Sequence, residues 1–165
     1  MRIEKVAVIG AGLMGSGIAA QIANAGYEAI LLDIVPDGAQ DRSQLAKSAI
    51  EKLKKGDPPP LMDTGFAGRI TPGNIEDDMH LISDCDWVIE VVLEDAAIKQ
   101  KTYANIENYR KPGTIVSSNT STIPLEKLVE GRSDDFKQHF LITHFFNPPR
   151  FMRLMELVRS DETKD

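Results

Sequence analysis

Residues 6–19 read VAVIGAGLMGSGIA: an apolar run, then Gly10-Ala11-Gly12-Leu13-Met14-Gly15, then a small-residue helical pattern. Strand, glycine turn and helix follow without a spacer, which is how a parallel α/β unit begins. Gly10 permits the tight turn, Gly12 lets the backbone approach a pyrophosphate, and Gly15 lets helix and strand pack closely. The helix's free N–H groups and positive end then meet a phosphate. Gly10, Gly12, Leu13, Met14 and Gly15 are therefore candidates for binding a dinucleotide, and Gly17 adds a further close-packing position.

Working outward, the helix pattern of Met14–Asn24 ends before Gly26, and Ala29–Leu32 forms a second strand ending at Asp33. Asp33 lies eighteen residues beyond Gly15, where a carboxylate accepts hydrogen bonds from the adenine ribose hydroxyls. A 2′-phosphate there would place two negative groups together, and Ile34-Val35-Pro36 offers no arginine to neutralise them. The cofactor expected is NAD, not NADP. Further along, the pattern predicts a helix over residues 40–55 with Leu45, Ala49, Ile50 and Leu53 on its apolar face, stopped by Gly56-Asp57-Pro58-Pro59-Pro60. It then predicts a short strand at 69–71 ending at Pro72-Gly73, helical turns at 77–82 and a strand at 87–92. A helix at 98–109, strands at 114–118 and 140–143 with a short helix opened by Pro124 between them, and an edge strand at 154–158 complete the pattern. The fold class expected is α/β, a doubly wound Rossmann fold whose mostly parallel sheet carries helices on both faces.

Composition supports one such domain. The chain has 165 residues, 42% apolar and 27% charged, with a net charge of −6 that repels a polyanion and argues against nucleic acid. The apolar runs are too short to span a membrane and the first residues lack a secretory pattern, so a cytoplasmic location is expected. One cysteine, Cys85, forms no internal disulfide, and His80, His139 and His144 show no ligand spacing, so no metal is expected.

Two further clusters follow strands. DWVIEVVLEDAAIK at 86–99 runs from a strand through an acidic turn into a helix, which places Glu94 and Asp95 at a helix N-terminus and Lys99 a turn further on. Taken singly, these residues read equally well as a helix cap followed by a solvated lysine. The polar stretches SSNTST at 117–122 and HFFNPP at 144–149 should face one crevice. There His144 can serve as general base, Glu156 on the next strand can hold its ring, and Ser121 can bind a substrate oxygen, although a histidine between apolar residues reads equally as structural.

These segments, with LLD at 31–33, VIEVVLED at 88–95 and HFFNPPRFMRLMELV at 144–158, resemble the NAD-binding domain of the L-3-hydroxyacyl-CoA dehydrogenases over the whole chain. The last segment is the most specific, because His-Phe-Phe-Asn-Pro followed by Glu156 is that family's catalytic signature. The resemblance implies reversible oxidation of the L-3-hydroxyl of an acyl-CoA to 3-oxoacyl-CoA in fatty-acid β-oxidation. His144 is then the base, Glu156 its orienting carboxylate, Ser121 the group that positions the substrate oxygen, and Asn147 a neighbour of nicotinamide or histidine. Asp33 holds the adenine ribose, while Val91, Glu94, Lys99 and Asn119 line the rest of the dinucleotide site.

The family continues into an all-helical domain that closes over the substrate and forms most of a dimer contact. Residues 1–160 accordingly read as the NAD-binding domain and 161–165 as the start of a linker to that helical domain, so the isolated chain is expected to be inactive. Asp95 departs from the asparagine usual in the family. The stretches around Pro58-Pro59-Pro60 and RITPGNIEDD at 69–78 most resemble members fused to an enoyl-CoA hydratase. Two alternatives stay open. A β-hydroxyacid or 6-phosphogluconate dehydrogenase shares the glycine pattern but lacks the His-Phe-Phe-Asn-Pro turn, and a non-catalytic NAD-binding structural or sensory protein would be expected to lack His144 or Glu156.

Overall fold

The computed structural model describes residues 2–164. Strands β1 (Lys5–Ile9), β2 (Glu28–Asp33), β3 (Ile70–Asn74), β4 (Trp87–Glu90), β5 (Ile115–Ser118), β6 (Phe140–Phe145) and β7 (Met155–Val158) form one sheet in the order β3-β2-β1-β4-β5-β6-β7. Pairing is parallel throughout except between β6 and β7. The helices are α1 (Leu13–Asn24), α2 (Gln44–Leu53), α3 (Ala96–Tyr109), α4 (Leu125–Leu128) and α5 (Asp134–Gln138), with 3-10 turns at Thr64–Arg69 and Met79–Asp84.

The uninterrupted apolar run of β1 has a simple cause: both faces of the strand are covered. Val6 and Val8 point into one layer with Ile18 and Ile22 of α1 and Ala46, Ala49 and Ile50 of α2. Ala7 and Ile9 point into the other, with Tyr103 and Ile106 of α3 and the rings of Phe136 and Phe140. This is the expected Rossmann arrangement. Because the strand order reverses between β1 and β4, the turns after these two strands part to opposite faces and leave a crevice at their carboxyl ends.

Local departures from the sequence reading have local reasons. α2 begins at Gln44, not residue 40, because the Asp41 carboxylate accepts from the Ser43 N–H and from Lys47 Nζ and holds the chain in a turn. Ala46 takes the core position expected of Leu45, which instead lines a cavity. β3 does not end at Pro72-Gly73 but runs through them, pairing Leu31 with Pro72 and Leu32 with Gly73. As the outermost strand it tolerates a residue without an N–H. β4 stops at Glu90, short of Val92, and α3 starts at Ala96.

Candidate functional site

The glycine turn is held from both sides. Gly10 has φ of +110°, its N–H donates to Leu32 O at 2.7 Å, and a Cβ there would sit 2.4 Å from Val91 O, so only glycine fits between β2 and the turn after β4. A Cβ on Gly15 would lie 1.8 Å from Gly10 O. Gly12 differs, because a Cβ there would meet nothing within 4 Å. The strict requirement at Gly10 and Gly15 is internal, whereas the space above Gly12 is free. It adjoins the N-terminus of α1, which no side chain caps. A pyrophosphate fits that arrangement. Gly17, expected to pack closely, does so: a Cβ would stand 3.1 Å from Pro149 Cδ, which brings the turn after β6 onto α1.

Asp33 is engaged before any ribose arrives. Its Oδ2 accepts from the Ala11 N–H at 2.6 Å and its Oδ1 from the Ile34 N–H at 2.7 Å. Each oxygen keeps a lone pair, so the carboxylate ties β2 to the glycine turn and can still accept from hydroxyls.

Two cavities open beside the turn. One of about 300 Å³ is lined by Gly12, Leu13, Met14, Gly15, Val91, Val92, Glu94, Lys99 and Asn119, so it gathers most of the residues expected around a dinucleotide. The other, about 710 Å³, has Asp33, Leu45, Lys52, Asn147 and Arg150 in its wall. Asn147 therefore stands on the cavity side of the Pro148-Pro149 turn. Ser121, His144 and Glu156 line neither cavity.

The acidic turn after β4 resolves into separate roles. Asp95 is the N-cap of α3, its Oδ1 accepting from the Ile98 N–H at 2.9 Å, so the extra charge relative to asparagine sits where a helix favours it. Glu94 turns away from the helix toward the loop after β5. Its Oε1 accepts from the hydroxyls of Thr120 and Thr122 and from the N–H groups of Ser121 and Thr122. Burial pushes the Glu94 carboxyl up, but the threonine hydroxyls and the Lys99 charge outweigh it and bring its pKa down to about 2. Lys99 is not solvated: its side chain is 1% exposed, and its ammonium lies 2.7 Å from Glu90 Oε1 and 3.3 Å from Glu94 Oε2.

At the far side of the sheet, antiparallel register sets His144 of β6 directly opposite Glu156 of β7. His144 Nδ1 lies 2.8 Å from Glu156 Oε2. A carboxylate only accepts, so Nδ1 carries a proton, and in the neutral ring Nε2, which has no hydrogen-bond partner among the described residues, presents a lone pair. Asn119 Oδ1 accepts from the Phe145 N–H at 2.9 Å and joins the loop carrying Ser121 to the strand carrying His144. Ser121 is exposed. Its neighbours in the polar stretch point inward, Ser117 to Thr143 and Trp87 and Ser118 to Glu90.

Two residues of this region escaped the sequence reading. Glu90 is fully buried at the end of β4, where a carboxylate inside an apolar strand was the available signal. Arg150 Nη1 donates to the carbonyls of Pro59 and Leu61 and ties the turn after β6 to the proline-rich loop.

A Rossmann sheet with an open glycine turn, an acidic residue ending β2 and a histidine–carboxylate pair at its edge defines a dinucleotide-binding domain of the oxidoreductase type. Residues 5–165 match the family described as 3-hydroxyacyl-CoA dehydrogenase, NAD binding domain. The chain belongs to that family, and NAD is the cofactor such a domain binds, as expected. A Bacillus subtilis protein named a probable 3-hydroxyacyl-CoA dehydrogenase is 48% identical over 98% of this chain and 22% of its own length. A Rickettsia felis protein, whose name is that of a fatty acid oxidation complex trifunctional enzyme, is 51% identical over 94% of this chain and 22% of its own length. The crystal structure of 3-hydroxybutyryl-CoA dehydrogenase from Escherichia coli superposes with a TM-score of 0.81 at 26% identity, over 99% of this chain and 34% of that one. The chain thus spans about a fifth of the length of those curated relatives. Among the described residues, no helix is long and apolar enough to cross a membrane.

Proposed function

We propose that this chain is the cofactor-binding and catalytic-base domain of an NAD-dependent L-3-hydroxyacyl-CoA dehydrogenase acting in fatty-acid β-oxidation. Residues 1–160 form the domain and 161–165 begin the linker to a helical domain that completes the acyl-CoA site. The observation that carries this reading is the His144–Glu156 pair, with Nδ1 and Oε2 2.8 Å apart and Nε2 left as a base.

Bound NAD supplies the hydride acceptor for C3 of the substrate. Gly12, Leu13 and Met14 would hold the pyrophosphate on the turn that Gly10 and Gly15 shape, Asp33 would hold the adenine ribose and disfavour a 2′-phosphate, and Val91, Glu94, Lys99 and Asn119 would line the rest of the dinucleotide site. His144 Nε2 takes the proton of the 3-hydroxyl. Glu156 keeps the ring in the reactive tautomer and stabilises the imidazolium that forms. The Ser121 hydroxyl donates to the substrate oxygen, and Asn147 is the neighbour that helps fix the nicotinamide or His144.

Proximity is what the open edge lacks. Holding C3 against the cofactor requires a second wall that excludes water, and Glu156 has a side chain 55% exposed. NADH formation from L-3-hydroxybutyryl-CoA at saturating NAD, measured for this chain and for a longer version spanning the length of its relatives, tests the proposal. Robust turnover by the longer protein with little or none by this chain is expected. A longer protein that binds NADH but does not oxidise the substrate would overturn the assignment, and equal rates would overturn the need for a second wall.

A further inference from the structure

We propose that Glu90 is a positioning residue for the nicotinamide side of the cofactor site, anchoring Lys99 and, through it, Glu94 and the loop that carries Ser121. This rests on reading the smaller cavity as part of the NAD site.

The Glu90 carboxylate is fully buried and accepts four hydrogen bonds. The Val92 N–H at 2.8 Å and Lys99 Nζ at 2.7 Å reach Oε1, while the hydroxyls of Tyr103 and Ser118 reach Oε2. These donors come from the turn after β4, from two successive turns of α3 and from the end of β5. A carboxylate with four well-placed donors has no capacity left for a ligand, so Glu90 acts through its neighbours and not on the cofactor.

Lys99 is the neighbour that matters, because it is one of the cavity-lining residues. Its ammonium is almost wholly out of water and has two anionic partners of unequal strength. Glu90 is buried at 2.7 Å, while Glu94 is 39% exposed at 3.3 Å. Without Glu90 the closer and drier of the two is lost, and a desolvated charge left short of a partner moves to find water. The ammonium would then leave the position from which it holds Glu94 Oε2. Glu94 Oε1 gathers the N–H groups of Ser121 and Thr122, at 3.2 and 3.3 Å, and their loop would loosen with it. The adenine end hangs on other contacts, from Asp33 to Ala11 and from Gly10 to Leu32. The proposal therefore predicts damage confined to one half of the cofactor site.

Calorimetric titration of the 165-residue chain with NADH and, separately, with ADP reads the two halves apart. Glu90→Gln is expected to weaken NADH by about tenfold to a hundredfold, the usual effect of losing a hydrogen bond to a charged group, and to leave ADP affinity unchanged. Because Glu90 works through Lys99, Glu90→Gln added to Lys99→Met should cost nothing beyond Lys99→Met alone. The double variant leaves neither Glu90 nor Lys99 as a lone buried charge, so weaker NADH binding with unchanged ADP binding in it, relative to the wild type, decides the matter even where a single variant does not fold. Unchanged NADH affinity in Glu90→Gln, parallel loss of NADH and ADP, or a double variant weaker than Lys99→Met would each overturn the proposal. A wild-type chain that binds ADP but not NADH would overturn the NAD reading itself and this inference with it.

Discussion

The two ends of the sheet are built on opposite terms. On β1, Val6 through Ile9 are at most 2% exposed, and every wall of the glycine turn is hydrogen-bonded to another: Gly10 to Leu32, Ala11 to Asp33, Val91 to Ile9. On β7 all four residues are exposed, and one hydrogen bond from His144 fixes the carboxylate that faces it. The dinucleotide side is held by redundant contacts, so its geometry survives without ligand. The side proposed to handle the proton is held by the pairing of β7 with β6 and by the Asn119–Phe145 contact, and β7 is open to water. Substitutions at the first end should act on binding through shape, and substitutions at the second should act on chemistry without touching the cofactor.

The sharpest way to break this contrast is to remove the proposed base. In the full-length protein, His144→Ala should lower kcat by about a hundredfold to ten-thousandfold, the contribution of a positioned general base, with NADH affinity unchanged in a fluorescence titration. Glu156→Gln should fall short of that, because the ring keeps a neutral acceptor on Nδ1 but loses the charge that steadies the imidazolium. A His144→Ala protein that loses NADH affinity in step with turnover would show that the two ends are not independent.

Two neighbouring glycines sharpen the comparison within the dinucleotide side. Gly15→Ala forces a methyl into Gly10 O and should destabilise the domain by about 1–3 kcal/mol or more, seen as a lower Tm without any ligand. Gly12→Ala places its methyl in open space. It should melt like the wild type yet lose NADH binding, because the free space is the part meant for the pyrophosphate. Equal effects of the two on Tm would mean that the space above Gly12 has a structural role.

The smallest effect expected is a pH dependence of the loop after β5. The Glu94 pKa is brought from 4.5 in the free side chain to about 2 in the fold. A depressed carboxylate contributes its full stabilisation above 4.5 and loses it as the pH falls toward about 2. The amide resonances of Ser121 and Thr122 should therefore stay constant down to pH 4.5 and shift only below it, in step with the Glu94 carboxyl carbon. Movement of those amides nearer neutral pH would dissociate the loop from Glu94.

The strand–turn–helix opening was legible because it depends on neighbours in sequence: a continuous apolar run over Val6–Ile9, glycines at fixed offsets and small residues on α1. So was an edge strand over Leu154–Val158, whereas its antiparallel pairing with β6 shows only in the sheet. What failed to show depended on distant partners. Lys99 reads equally as a solvated lysine or a site residue until the partner Glu90, nine residues away on another element, is brought beneath it. Pro72 reads as a breaker until the sheet order makes β3 an edge. The start of α2 is hidden because Asp41, Ser43 and Lys47 suit a helix surface as well as the turn they form. The pairing of His144 with Glu156 was legible from their places on successive strands, and the resemblance made it specific, since a separation of twelve residues alone fits many geometries.

That short separation also decides how the His144–Glu156 contact is lost. β7 packs no buried side chain and is bonded on one edge only, to β6, so its amides should exchange with solvent through local opening, long before the central strands unfold. Such a fluctuation parts Glu156 from His144 while leaving β1, β2 and the glycine turn in place. Closure is correspondingly easy, because few residues must be ordered to re-form the hairpin. In rising denaturant the pair should therefore come apart and re-form reversibly at concentrations where the dinucleotide crevice still stands, as a separate and earlier transition than the melting of the sheet.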